Sequence, residues 1–132
     1  MSDLRTKIDT VHHISFRVDD LDQALDFYVG VLGCAVLDRP HLLGGREGAW
    51  LKAGDTEVHL IARPADSETG LPPSMLTAQA NHVAFRVADL DAAAQRFAEI
   101  GVGHRWGKSV RQLLLQDPSG NVLELQDSSS TR

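Results

Sequence analysis

The chain has 132 residues, 42% of them hydrophobic and 23% charged, which is one domain's worth of ordinary globular composition. Thirteen basic against 18 acidic side chains leave a net charge of −5 with no Lys/Arg stripe, so nucleic acid and anionic membranes are not expected partners. No apolar run reaches the roughly 18 residues of a membrane span, residues 1–9 are too polar for a signal peptide, and Cys34, the single cysteine, excludes an internal disulfide and fits a reducing, cytoplasmic compartment.

Taken in chain order, residues 11–18 alternate apolar and polar side chains, which is a strand signal. Asp20 is an N-cap, with Gln23 completing a capping-box pattern. Leu21, Ala24, Leu25, Tyr28 and Leu32 then follow helical spacing until Gly33 stops the helix. Three shorter strands are expected at 35–38, 48–52 and 56–61, the last two joined by a turn at Gly54-Asp55. Residues 64–79 carry Pro64, Gly70, Pro72 and Pro73 and read as a linker. The series then repeats. A strand begins at His82; Asp89 caps a helix with its stripe on Leu90, Ala93, Phe97 and Ile100, and Gly101 ends it. Strands are expected at 103–106, 110–116 and 122–126, the last two joined by Asp117-Pro118-Ser119-Gly120. The tail from 128 to 132 is expected to be disordered.

The duplication is explicit. His13, Phe16, Asp20 and Asp22 recur 69 residues later as His82, Phe85, Asp89 and Asp91. The chain is therefore read as a single domain of two tandem βαβββ modules, 11–63 and 80–127. Each is marginal alone, so the two should share one structure. Strand parity assigns the faces. Ile14, Phe16 and Val18 oppose His13, Ser15 and Arg17, and Val83, Phe85 and Val87 oppose His82, Ala84 and Arg86. On the last strands, Val58 and Leu60 oppose Glu57, His59 and Ile61; Leu123 and Leu125 oppose Val122, Glu124 and Gln126. The helices must cover the apolar faces, which leaves His13, His59, His82 and Glu124 on the other side.

These residues resemble the vicinal oxygen chelate superfamily of glyoxalases, bleomycin resistance proteins and extradiol dioxygenases. The resemblance runs through His13 with Val18-Asp19-Asp20-Leu21, Phe27-Tyr28, Leu32-Gly33 and Val58-His59-Leu60. It continues through His82 with Val87-Ala88-Asp89-Leu90 and residues 117–125, Asp-Pro-Ser-Gly-Asn-Val-Leu-Glu-Leu. It implies an α+β fold in which the modules form a curved, half-barrel-like mixed sheet around a concave metal cleft. Position by position, it puts His13, His59, His82 and Glu124 on the metal-ligand places. Three imidazoles and one carboxylate suit one divalent transition metal (Zn, Ni, Co, Fe or Mn) better than Ca or Mg. By the same resemblance the activity is a glyoxalase-like lyase or isomerase reaction on a small substrate that chelates the metal through vicinal oxygens. Glu124 is then the candidate base, and homodimerisation is expected, with the cleft either within one chain or across the interface.

Other readings belong to the same residues. Glyoxalase I usually carries glutamate at the His59 place, so an extradiol dioxygenase, a thiol transferase, or a metal-free antibiotic-sequestering protein are the alternatives. Arg17 and Arg86 share the ligand face and are candidates to clamp a substrate carboxylate, against the plainer reading of an ion pair with Glu57. Trp50, Trp106, Lys108 and Arg111 fall where superfamily members contact substrate, against ordinary packing. His12 falls on the helix-side parity at a strand start and is read as solvent-facing, His41 and His104 have no positional support as ligands, and Cys34 reads as a packing residue. Gly30, Gly33, Gly44 and Gly45 form no phosphate cradle.

Overall fold

The alternation of the first segment produces β1 (His13–Val18), which buries Phe16 and Val18 and leaves His13 and Ser15 exposed. The computed structural model describes residues 4–40, 42–63 and 69–130, with Leu42 described by its backbone alone. Asp20 caps α1 (Leu21–Leu25) as expected, its Oδ1 accepting from the Gln23 N–H at 3.0 Å. The helix does not stay α-helical to Leu32. It widens into a π-helical turn over Asp26–Val31, closed by the Leu32 N–H on the Phe27 carbonyl. Successive α-helical side chains diverge by about 100°. The wider turn reduces that angle, so the adjacent Phe27 and Tyr28 are both buried. Gly33 then turns the chain at φ 74°.

Module one continues through β2 (Ala35–Leu37), β3 (Leu42–Leu43), β4 (Arg46–Ala53) and β5 (Thr56–Ala62). Its strands lie in the order β1-β5-β4-β2, with β3 folded onto β4. The short β3 was not expected. Module two consists of β6 (His82–Arg86), α2 (Leu90–Ile100), β7 (His104–Trp106), β8 (Leu113–Gln116) and β9 (Val122–Gln126), in the order β6-β9-β8-β7. The first and last strands pair in parallel in both modules, β1 with β5 and β6 with β9. Two open mixed sheets with helical cover give the α+β architecture expected of the duplication.

The helix-side faces of both sheets merge into one core, which holds Phe16, Val18, Tyr28, Val58 and Leu60 together with Leu90, Phe97, Leu115, Leu123 and Leu125. A polar seam joins the modules at the turn between β8 and β9. Tyr28 donates its hydroxyl hydrogen to Asp117 Oδ2 at 2.7 Å. Asp19 N–H donates to Ser119 Oγ, and Asn121 Nδ2 donates to the Arg17 carbonyl, both at 2.9 Å. Burial, with the Asp117 carboxylate alongside, pushes the Tyr28 phenol up, so it keeps the proton this bond uses.

The described part of the linker lies against the body of the protein. Arg17 Nη1 donates to Thr69 Oγ1 and to the Gly70 carbonyl, and Gln116 Nε2 donates to the Pro73 carbonyl at 3.3 Å. The linker's first residues, Pro64 among them, lie outside the described residues, as does His41. Residues 128–130 of the tail turn back onto the body, and residues 131–132 lie outside the described residues. Asp127 Oδ1 accepts from the Ser129 N–H at 2.8 Å, and Ser130 Oγ donates to the Arg111 carbonyl at 2.7 Å, because Asp127 is itself fixed as an acceptor at the start of α2.

Candidate metal centre

All four expected ligands lie on the sheet faces opposite the shared core, and the register brings them together in pairs. His13 stands across from Glu57 and Ser15 from His59; His82 stands across from Val122 and Ala84 from Glu124. Each first-strand histidine therefore meets the last-strand ligand on the diagonal, a distance long side chains span. The His13 and His59 rings stack with centroids 4.0 Å apart. His82 Nε2 stands 3.4 Å from Glu124 Oε1. The pairs do not meet within one chain: among the described residues, no group of three or more His, Cys, Asp or Glu side chains is arranged to hold a metal ion.

The His82–Glu124 pair is the better defined. His82 Nδ1 lies 2.8 Å from the Ala80 carbonyl, which can only accept, so Nδ1 carries the ring proton. In the neutral ring Nε2 is then a bare acceptor, and it faces a carboxylate oxygen. Two acceptors at that distance are stabilised by a cation or proton between them, so the donor set fits a metal. Glu124 is 3% exposed, and its Oε2 accepts from Gln126 Nε2 at 2.5 Å. Gln126 was not singled out from the sequence, although its place two residues beyond Glu124 on the same face was legible.

In module one, His59 Nε2 lies 2.9 Å from Glu57 Oε1. The carboxylate makes Nε2 the proton-bearing nitrogen and leaves Nδ1 as the His59 acceptor. This bond holds the Glu57 carboxyl below its ordinary range, with His12, His13 and His59 adding attraction. Trp50 stacks on His59 at 5.4 Å between centroids, and the Arg39 guanidinium lies 5.8 Å from the Trp50 ring. Gly48 makes room for that guanidinium, since a Cβ there would come within 2.4 Å of the Leu60 carbonyl oxygen and 3.1 Å of Arg39 Nη2. His12, read as solvent-facing, is exposed, with its Nδ1 2.9 Å from His13 Nδ1.

The remaining candidates divide. Trp50 is at the site. Arg17 lines a cleft of about 660 Å³ with Ser15, Leu71, Asn81, His82 and Asn121. Its Nη1 is bound to the linker, not to Glu57, and its buried Nε has no hydrogen-bond partner among the described residues. Arg86 is exposed at the end of β6. Arg111 is engaged structurally: it donates to Asp91 Oδ2 at 2.9 Å and Ser129 Oγ at 2.7 Å, and lies 5.0 Å over Trp106. His104 bonds the Val102 carbonyl and packs against Phe97. Cys34 is buried, and burial pushes its thiol up, which keeps it unreactive.

Two βαβββ modules that each set a first-strand histidine beside a last-strand histidine or carboxylate, on the face away from a common core, define a duplicated α+β cleft fold. The family model described as the Glyoxalase/Bleomycin resistance protein/Dioxygenase superfamily matches residues 10–125, and the chain belongs to that superfamily, the vicinal oxygen chelate proteins. Over 128 residues the chain is 27% identical to glyoxylase I 4 of Arabidopsis thaliana, covering 92% of this chain and 72% of the relative. It is 28% identical to the metallothiol transferase FosB of Staphylococcus epidermidis, covering 90% of this chain and 82% of that protein. The solved structure of TnmS3, an antibiotic-binding protein from Streptomyces sp. CB03234, is 30% identical with a TM-score of 0.69, covering 95% of this chain and all of that one. The superfamily thus spans enzymes and binders, and no helix among the described residues is long and apolar enough to cross a membrane.

Proposed function

We propose that this protein is a divalent-metal-dependent enzyme of glyoxalase type, acting on a small substrate that offers two adjacent oxygens. The observation that carries the reading is the His82–Glu124 pair, whose two acceptor atoms face each other at 3.4 Å with Ala80 fixing the imidazole tautomer. His13, His59, His82 and Glu124 would hold one transition metal. Because the pairs stay apart within one chain, a second copy supplies the complementary pair, and the working protein is a homodimer with shared sites. The bound metal supplies Lewis acidity toward the substrate oxygens. Glu124 takes a proton from the carbon next to a substrate carbonyl and returns it to the former carbonyl carbon; Oε1, which would be released from the metal once the substrate's two oxygens hold it, carries that proton while Oε2 stays bound to Gln126. Arg17 and Arg86 receive an anionic part of the substrate, and Trp50 covers the His59 ring.

The test is elemental analysis of protein purified without a nickel column, followed by activity on the metal-loaded enzyme. About one transition-metal ion per chain is expected. Nickel, cobalt or zinc with hemithioacetal isomerisation supports the glyoxalase reading. Iron with oxygen uptake on catechols replaces it with a dioxygenase, and metal-dependent thiol addition to an antibiotic replaces it with a transferase. Glu124→Gln should abolish turnover while weakening metal binding only in part.

A second reading, sequestration of a small molecule without chemistry, is supported by the likeness to the antibiotic-binding TnmS3. Ligand binding that survives complete chelation of metal would favour it.

A further inference from the structure

The two modules share one backbone plan but support their last-strand ligands in opposite ways. Aligning β5 with β9 by Val58-His59-Leu60 and Leu123-Glu124-Leu125 sets Glu57 against Val122 and Ile61 against Gln126. In module one the polar neighbour precedes the ligand: Glu57 accepts the His59 Nε2–H at 2.9 Å, and Ile61 follows. In module two it comes after the ligand: Val122 precedes, and Gln126 donates to Glu124 Oε2 at 2.5 Å. An imidazole that must donate has an acceptor beside it; a carboxylate that must accept has a donor. The orientation of the Gln126 amide follows from chemistry, because an ionised carboxylate only accepts and the NH2 end must face it.

We infer that Gln126 is the positioning residue of the Glu124 carboxylate. Gln126 is 8% exposed, and its own carbonyl accepts the Val87 N–H at 2.7 Å, so strand pairing and burial both fix its place. Bound through Oε2, the Glu124 carboxylate cannot rotate freely, and Oε1 is presented toward His82 Nε2. Glu124 thereby becomes a one-oxygen ligand of set direction. Neighbours that orient a ligand in this way typically change metal affinity by 10–100-fold when removed. This inference rests on the proposed metal site and adds a residue to it.

The experiment is a titration of the full-length, metal-free protein with Co²⁺, followed by the visible absorption of the bound ion. Gln126→Met keeps the volume and removes the donor; Gln126→Asn keeps an amide but ends a methylene short of Glu124. Both variants are expected to bind Co²⁺ about 10–100-fold more weakly than wild type and with an altered spectrum, in metal-free proteins whose circular dichroism shows them folded at the titration temperature. Should the Met variant fail to fold, the Asn variant carries the test alone. Wild-type affinity and spectrum, within about twofold, in the variant that folds overturn the role of Gln126 and leave the metal site standing. No Co²⁺ binding by wild type removes the metal site itself.

Discussion

Tyr28→Phe tests the seam that makes two modules one protein. The change keeps the ring in a fully buried position and deletes only the hydroxyl that donates to Asp117 Oδ2. Asp117 would keep three donors: Ser119 N–H and Asn121 N–H on Oδ1, and Asn121 Nδ2–H on Oδ2. A hydrogen bond to a charged acceptor contributes about 1.5–3 kcal/mol, and the three surviving bonds put the expected loss near the middle, about 2 kcal/mol. For a chain of this length that lowers Tm by roughly 6–8 °C. Asp117→Asn should cost more, about 3 kcal/mol or above, because either orientation of the amide turns its NH2 toward two N–H or O–H donors. Urea unfolding of wild type and both variants, with far-UV dichroism as readout, gives the values. A Tyr28→Phe loss below about 0.5 kcal/mol, or an Asp117→Asn variant more stable than Tyr28→Phe, would refute this account of the seam.

Three further outcomes are expected. Gly48→Ala would force a Cβ to within 2.4 Å of the Leu60 carbonyl oxygen and against the Arg39 guanidinium; a loss of about 1–3 kcal/mol in urea unfolding is expected, and an unchanged midpoint contradicts the packing described. Asp127 is held down to about 2 by Ser129 and the Leu90 N–H, so its contribution to stability is complete above the ordinary carboxylate range near 3.9 and fades as pH falls toward 2; wild type should therefore lose stability between pH 4 and 2 more steeply than Asp127→Asn, and parallel curves contradict this. In a Trp106→Phe protein, Co²⁺ should quench the fluorescence of Trp50, which stacks on His59; saturation of the Co²⁺ absorption with unchanged emission would place the ion away from His59.

Much of this arrangement was legible from alternation alone. Parity put His13, His59, His82 and Glu124 opposite the core, because β1, β5, β6 and β9 each have one face that must meet the helices. The caps at Asp20 and Asp89 were legible because a side-chain oxygen in that place satisfies an otherwise orphaned N–H. The β3 turn was not anticipated, though the His13–His82 spacing of 69 and the His59–Glu124 spacing of 65 already implied four extra residues in module one before its last strand. The π-helical turn left no periodic signature, since Leu21, Ala24, Leu25 and Tyr28 satisfy α-helical spacing as well. Arg111 fell where superfamily members contact substrate, and nothing in the sequence pointed to its partners, Asp91 and Ser129, which are distant along the chain and joined to it only by the fold. The separation of the ligand pairs depends on how two modules dock, and strand parity carries no information about that.

Mixing two defective variants tests the shared metal centre most directly. His13→Ala breaks the module-one pair and His82→Ala the module-two pair, so neither homodimer retains an intact site. In a dimer formed from one of each, one site receives both damaged pairs and the other both intact pairs. Random pairing in an equal mixture, after unfolding and refolding together, makes about half the dimers mixed, so about one quarter of wild-type Co²⁺ uptake should return. A mixture that binds no more Co²⁺ than the variants do separately would contradict a centre built across two copies.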